Sequence, residues 1–191
     1  MHDLVGTDVE TMHIDTGDAK PVRKRAYRQS PEMQRIMQKQ IDEMLAANII
    51  EPSESYWSSP CLLIKESGTN KYRFVNDLRS VNQLTKPIFW PIPTLEDIFD
   101  TVSNNNPKLF TNIDMKHAYF QAFLDEESKP KTAFRPTVGG RNYQYTHMVM
   151  GFNDSAQTSQ RLLTKVLSGM LFERPFVKRL ALSNRCLSVH L

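Results

Sequence analysis

Cysteine is nearly missing from these 191 residues: Cys61 and Cys186 are the only two, and they stand too far apart to form a ligand-spaced cluster. That leaves no disulfide framework and no cysteine-based zinc site to infer. No apolar run approaches the roughly 20 residues that a membrane-spanning helix needs. The opening MHDLVGTDVETMHIDTGDA is polar and lacks the apolar centre of a signal peptide. No segment repeats, which removes the solenoid architectures. The expected setting is soluble and intracellular.

What is present is ordinary in amount and uneven in placement. Hydrophobic residues make up 40% and charged residues 24%, as in soluble globular domains, and the net charge of +3 permits an anionic partner without demanding one. The stretch KPVRKRAYR, residues 20 to 28, concentrates five basic side chains and no acid. Such a run can meet phosphates, though runs of like charge are more often simply solvated.

Residues 1 to about 29 read as an extended leader. Ser30-Pro31 then predicts a helix start, with serine as the cap and proline in the first turn. Met33, Met37, Ile41, Met44 and Leu45 form an apolar stripe at helical spacing, ending near Asn48. SSPCLLIK and KYRFV predict a hairpin around the loop ESGTN. NDLRSVNQL suggests a short helix or turn, and the prolines of KPIFWPIP forbid regular helix. Thr94 should cap a short helix through Val102. A strand is expected over Leu109–Ile113, a turn or short helix over Met115–Phe120, and a short apolar piece over Gln121–Leu124. Strands at KTAFRP and RNYQYTHM, joined through Gly139-Gly140, precede a helix over Asn153–Met170 with Leu162, Leu163, Val166, Leu167 and Met170 on one side. This order predicts an α+β fold rather than a doubly wound sheet.

The stretch LFTNIDMKHAYFQAFLDEES places Asp114 at the end of an apolar run. An acid at the mouth of a buried strand can ligate a hard cation. On local features alone an N-cap or turn former is the commoner role.

Several segments in fixed order resemble the reverse transcriptases of gypsy-type long-terminal-repeat retrotransposons. They are IIEPSESYWSSPCLLIKE, KYRFVNDLRSVNQLT, PIPTLEDIFD, LFTNIDMKHAYFQAFLDEESKPKTAFR and, more weakly, MVMGFNDSAQTSQ, together spanning about Tyr27 to Leu171. The leader resembles the join between protease and polymerase in such polyproteins, and cytoplasm or element particles would be its setting. The resemblance implies a right-hand polymerase, with fingers over 30–87 and 125–150 and palm over 88–124 and 151–171. In that family two Mg2+ ions held by palm carboxylates activate the primer hydroxyl on an RNA or DNA template-primer and neutralise charge on a deoxynucleoside triphosphate.

Carried over residue by residue, Asp114 matches the first catalytic carboxylate and metal ligand, with the Met115 carbonyl as a further oxygen donor. Arg73 matches the arginine that reaches the triphosphate, where its fork of donors suits phosphate oxygens. Tyr119 matches the gate against a ribose 2′-hydroxyl, with plain core packing as its alternative role. Ala118, Met150 and Gly151 fall in the nucleotide-lining segments. Counting back from Arg73 puts Glu66 where many relatives have a phosphate-binding lysine, so Lys65 or Lys71 would have to substitute. Arg23, Lys24, Arg25, Arg28, Arg79 and Gln160 are the expected contacts to nucleic acid.

The departures are concentrated late. Val149 stands for a proline, Met150 for an aromatic or glutamine, Ser155-Ala156 for Ala-Pro, and Ser159 for a phenylalanine whose loss should remove roughly 3 kcal/mol or more of packing. The family's remaining two metal carboxylates lie in a Tyr-x-Asp-Asp hairpin, yet the chain has no Asp-Asp, and Glu173 is the only acid after Asp154. Residues 172–191 begin like the strand leading to that hairpin and turn unrelated near Pro175, as after a frameshift, mis-splicing or decay. The expectation is a polymerase fragment inactive by itself. A non-catalytic nucleic-acid-binding remnant and a degenerate product without a role stay open beside it.

Overall fold

Ser30 is a helix cap in fact as well as in pattern: its hydroxyl accepts the Met33 amide at 3.3 Å, and Pro31 opens α1, Pro31–Ala46. The computed structural model describes residues 6–91, 94–105, 115 and 117–168. Met37, Ile41 and Met44 of α1 are buried, each worth roughly 2 kcal/mol relative to an exposed position. Asn48 ends the element with φ +54°, a conformation asparagine tolerates.

The expected hairpin forms from β3, Ser59–Lys65, and β4, Tyr72–Asn76, paired from Cys61↔Asn76 to Lys65↔Tyr72. These strands end a five-stranded sheet ordered β2-β7-β6-β3-β4, completed by β2, Ile50–Pro52, β6, Phe134–Arg135, and β7, Tyr143–Tyr145. The strand expected over KTAFRP is cut to two residues because Lys129–Thr132 coils into a 3₁₀ turn beginning at Lys129-Pro130. Phe134 sits at the sheet's centre, fully buried, with ring centroids 5.2 Å from Tyr145, 5.4 Å from Phe74 and 5.9 Å from Tyr143.

The leader is a structural strand. β1, Thr7–Met12, pairs in parallel with β5, Ala122–Leu124, across more than a hundred residues of sequence. Met12 and Ile14 are fully buried. The Leu124 amide donates to the Thr146 carbonyl (2.9 Å) and that of Met148 to Ala122 (2.8 Å), joining this pair to the end of β7.

Among the described residues three α-helices follow the hairpin. α2 is one turn, Arg79–Asn82. α3 runs Leu95–Asn105, three residues past the expected end. Thr94 and Asp97 cap it reciprocally: the threonine hydroxyl accepts the Asp97 amide at 3.1 Å, and the aspartate accepts the Thr94 amide at 2.8 Å. α4, Ser155–Leu167, starts later than expected because Asp154 turns its carboxylate to the Ile88 amide (3.0 Å) instead of capping. Its apolar stripe is only partly buried: Leu162 is inside, while Val166 is 51% exposed. The buried face of its first two turns is polar, carrying Ser155, Thr158 and Ser159.

The mixture of helices and mainly antiparallel sheet is α+β. No helix of the described residues is long and apolar enough to cross a membrane. The strand expected over Leu109–Ile113, Asp114, Met170 and the tail from 172 lie outside the described residues.

Candidate nucleotide and nucleic-acid site

Arg73 lies on β4, exposed, opposite Ile64 of β3. Side chains alternate along a strand, so Arg73 and Ile64 share one face of the ribbon while Lys65, paired with Tyr72, belongs to the other. The Glu66 amide bonds the Lys71 carbonyl at 3.0 Å, extending the ladder one step into the loop. By the same alternation Glu66 and Lys71 fall on the Arg73 side. Lys71 is therefore the lysine better placed to act with Arg73, and Lys65 is set away from it.

Two nucleotide-site candidates 77 residues apart meet: an Arg73 Nη donates to Met150 Sδ at 2.8 Å. The next residue, Gly151, has φ +105°, a region closed to side chains. Space is not its constraint, since a Cβ there would meet only Leu78, at an ordinary 3.7 Å. The loop is pinned from α2. Asn82 Nδ2 donates to the Gly151 carbonyl (2.7 Å), and its Oδ1 accepts the Asn153 amide (3.3 Å), while Asn153 Nδ2 donates to the Asn82 carbonyl (3.2 Å). Nothing in the sequence marked Asn82 for this, because its partners lie some seventy positions away.

Of the turn or short helix expected over Met115–Phe120, the described part is a 3₁₀ helix, Ala118–Gln121, behind His117 in the left-handed region, φ +52°; Lys116 lies outside the described residues. Ala118 is buried and Met115 half-buried. Tyr119 is half-buried against the core, and burial pushes its phenol above the ordinary value. Its packing is compatible with both roles considered for it.

The nucleic-acid candidates separate. Arg23, Lys24 and Arg25 are exposed on a segment held by backbone pairing to Ser58, with Lys24 N–O Ser58 at 2.8 Å and Ser58 N–O Val22 at 3.0 Å. Arg28 is exposed as well. Arg79 gives its fork to Asp77, through Nε to Oδ1 at 2.8 Å and Nη2 to Oδ2 at 2.7 Å, and the Tyr27 hydroxyl adds a third bond at 2.8 Å. The guanidinium beside it holds the Asp77 carboxyl well below the usual carboxylate range, so the Arg79 charge is already compensated. Gln160, at 7% exposed, is buried in α4 and offers a passing strand little surface.

Among the described residues no group of three acidic, histidine or cysteine side chains could hold a metal ion, and Asp114 is not one of those residues. The Met115 carbonyl is thus the one expected metal donor that is described.

The model of the family described as reverse transcriptase (RNA-dependent DNA polymerase) matches residues 64–174, more than half of the chain. The match ends at residue 174. Among curated relatives, the retrovirus-related Pol polyprotein from transposon opus of Drosophila melanogaster is 33% identical over 172 residues, 86% of this chain and 17% of that protein. The Pol polyprotein from transposon 297 of the same fly is 32% identical over 162 residues, 83% of this chain and 15% of the relative. That from transposon gypsy is 31% identical over 82% of this chain and 15% of the relative. The chain therefore spans about a sixth of the length of these relatives. With the family model matched over more than half its length, and retrotransposon Pol polyproteins aligned over most of it, the chain belongs to the reverse transcriptase (RNA-dependent DNA polymerase) family.

Proposed function

We propose that the chain is the fingers and part of the palm of a retrotransposon RNA-directed DNA polymerase, keeping surfaces for a nucleotide and a template-primer but not extending primers by itself. The observation that carries this reading is the meeting of Arg73 with Met150 beside Gly151. A guanidinium fork at a loop whose backbone must be glycine is suited to triphosphate oxygens approaching closely. Residues 30–87 and 125–150 are the proposed fingers, 88–124 and 151–171 the palm. Tyr119 is the proposed sugar gate and Ala118 its neighbour in the nucleotide wall.

Mg2+ is the ion this chemistry calls for, with Asp114 and the Met115 carbonyl as its ligands. The donor set does not fit a two-ion site, since the sequence supplies no Asp-Asp pair and only Glu173 beyond Asp154. What the chain's own residues do is bind: Arg73 and Lys71 face a triphosphate, and Arg23, Lys24, Arg25 and Arg28 face a phosphodiester backbone.

Primer extension on an RNA template with a DNA primer, Mg2+ and deoxynucleotides tests the claim, with Asp114→Ala beside it. Neither protein should extend the primer while both remain folded. Extension by the wild-type chain that vanishes in the variant would overturn the inactivity and show that other carboxylates complete the site.

A further inference from the structure

The stretch of chain that carries Arg73 grips the loop around Gly151 at a second point. Leading out of β4, the Asp77 amide donates to the Pro60 carbonyl of β3 (2.8 Å), and the Asn82 amide donates to the Leu78 carbonyl (2.8 Å). Leu78 and Val81 are buried in the core, so α2 is a fixed base in spite of its single turn. Asn82, half-buried at the end of that turn, reaches the loop through three hydrogen bonds, one to the Gly151 carbonyl and two to Asn153. Gly151 and Asn153 are themselves exposed. On the loop's inner side the Ser155 hydroxyl holds the Val149 carbonyl and the Asp154 carboxylate holds the Ile88 amide. Between those inner anchors, residues 150–153 are held from outside by Arg73 and Asn82.

We infer that Asn82 is a positioning residue for a nucleoside triphosphate, acting through the Gly151 peptide and not by touching the ligand. The inference rests on the proposed reading that Arg73 and this loop receive the triphosphate, and it deepens that reading. A φ of +105° calls for glycine, and glycine is also the residue freest to leave any one conformation. Without a clamp the loop would have to be ordered as the ligand bound, which costs affinity. Asn82 orders it beforehand, because the donor and the acceptor of one planar amide fix both the Gly151 carbonyl and the Asn153 amide. Aspartate would keep the acceptor but set a second oxygen against the Gly151 carbonyl. Since Arg73 and Asn82 stand on one braced stretch, the clamp also sets how far the loop lies from the guanidinium.

The test is fluorescence anisotropy of the whole chain with a base-labelled deoxyuridine triphosphate and Mg2+, beside hydrogen exchange read by mass spectrometry. Asn82→Ala should weaken triphosphate binding roughly tenfold. It should also raise exchange across residues 150–154 while β3 and β4 keep their protection. Arg73→Gln should weaken binding at least as much, since its fork is the direct contact. Ile41→Val, in the buried stripe of α1, lowers stability without reaching the loop and should bind as wild type, which separates positioning from stability. Asn153→Ala removes one of the three bonds on an exposed residue and should weaken binding roughly two- to threefold. That variant carries the comparison if Asn82→Ala does not fold. Binding by the clamp variant equal to that of Ile41→Val, with Arg73→Gln impaired, would overturn the positioning role alone. No binding by wild type, or full binding by Arg73→Gln, would overturn the triphosphate reading and the inference with it.

Discussion

The sheet side and the α4 side of this molecule are packed by different means. Around Phe134 three aromatic rings lie within 6 Å centroid separation, and Met37, Ile41 and Cys61 close the same core. Burial there pushes the Cys61 thiol up to about 12, as expected for an inert, desolvated sulfhydryl. On the α4 side Leu162 is the buried apolar residue, and its company is Ser155, Thr158, Ser159 and Gln160. Ser155 finds the Val149 carbonyl at 2.7 Å, but among the described residues the hydroxyls of Thr158 and Ser159 are buried without partners. This side also carries a charged tie: buried Glu10 of β1 pairs with Arg161 and, at 2.5 Å, with Lys165. Ser155 and Ser159, two of the positions where the resemblance leads one to expect other residues, lie on that second side. Apolar packing is robust to small shifts, whereas buried polar groups stabilise only when each has a partner.

The contrast can be broken most forcefully at its apolar pole. Phe134→Ala should cost about 3–5 kcal/mol, because it empties the centre of a ring cluster; equilibrium urea unfolding would read this as a lower midpoint. A loss under about 1 kcal/mol would mean the sheet core is no better packed than the α4 side. At the charged pole, Glu10→Ala should cost about 2–3 kcal/mol. The two cations lose their shared partner, yet both are partly exposed and recover some hydration. The same unfolding measurement, paired with protease susceptibility of residues 6–16, should show β1 loosening before the sheet. The smallest effect sharpens the comparison by its sign. Ser159→Ala should stabilise by about 1 kcal/mol, since it deletes a buried hydroxyl with no acceptor among the described residues. Destabilisation instead would mean that the hydroxyl is satisfied and the two sides are less unlike.

Much of the local architecture was readable in the chain. Ser30-Pro31 gave the start of α1, the hairpin around ESGTN formed, and Thr94 capped α3. Each of these signals acts between residues a few positions apart. The site was legible in its parts, since Arg73, Met150 and Gly151 were named from pattern matching, but not in its wiring. Asn82 was missed because an asparagine in a one-turn helix has no local mark of the loop it will clamp. Lys65 and Lys71 were both open from the sequence, while strand alternation sets Lys65 on the other face from Arg73. The segment before residue 29 looked like a mere connector, because one strand of alternating polar residues does not reveal which edge it will meet.

The sequence by itself determined the class of the molecule, its family, its helix caps and its hairpin, because those depend on short-range sterics, capping and ordered motifs. Tertiary structure alone decided that β1 pairs with β5, that Arg73 reaches Met150, and that Asn82 clamps the loop at Gly151. Such meetings depend on which strand edges and side-chain donors remain unsatisfied once the local elements have formed, and that is a property of the whole fold.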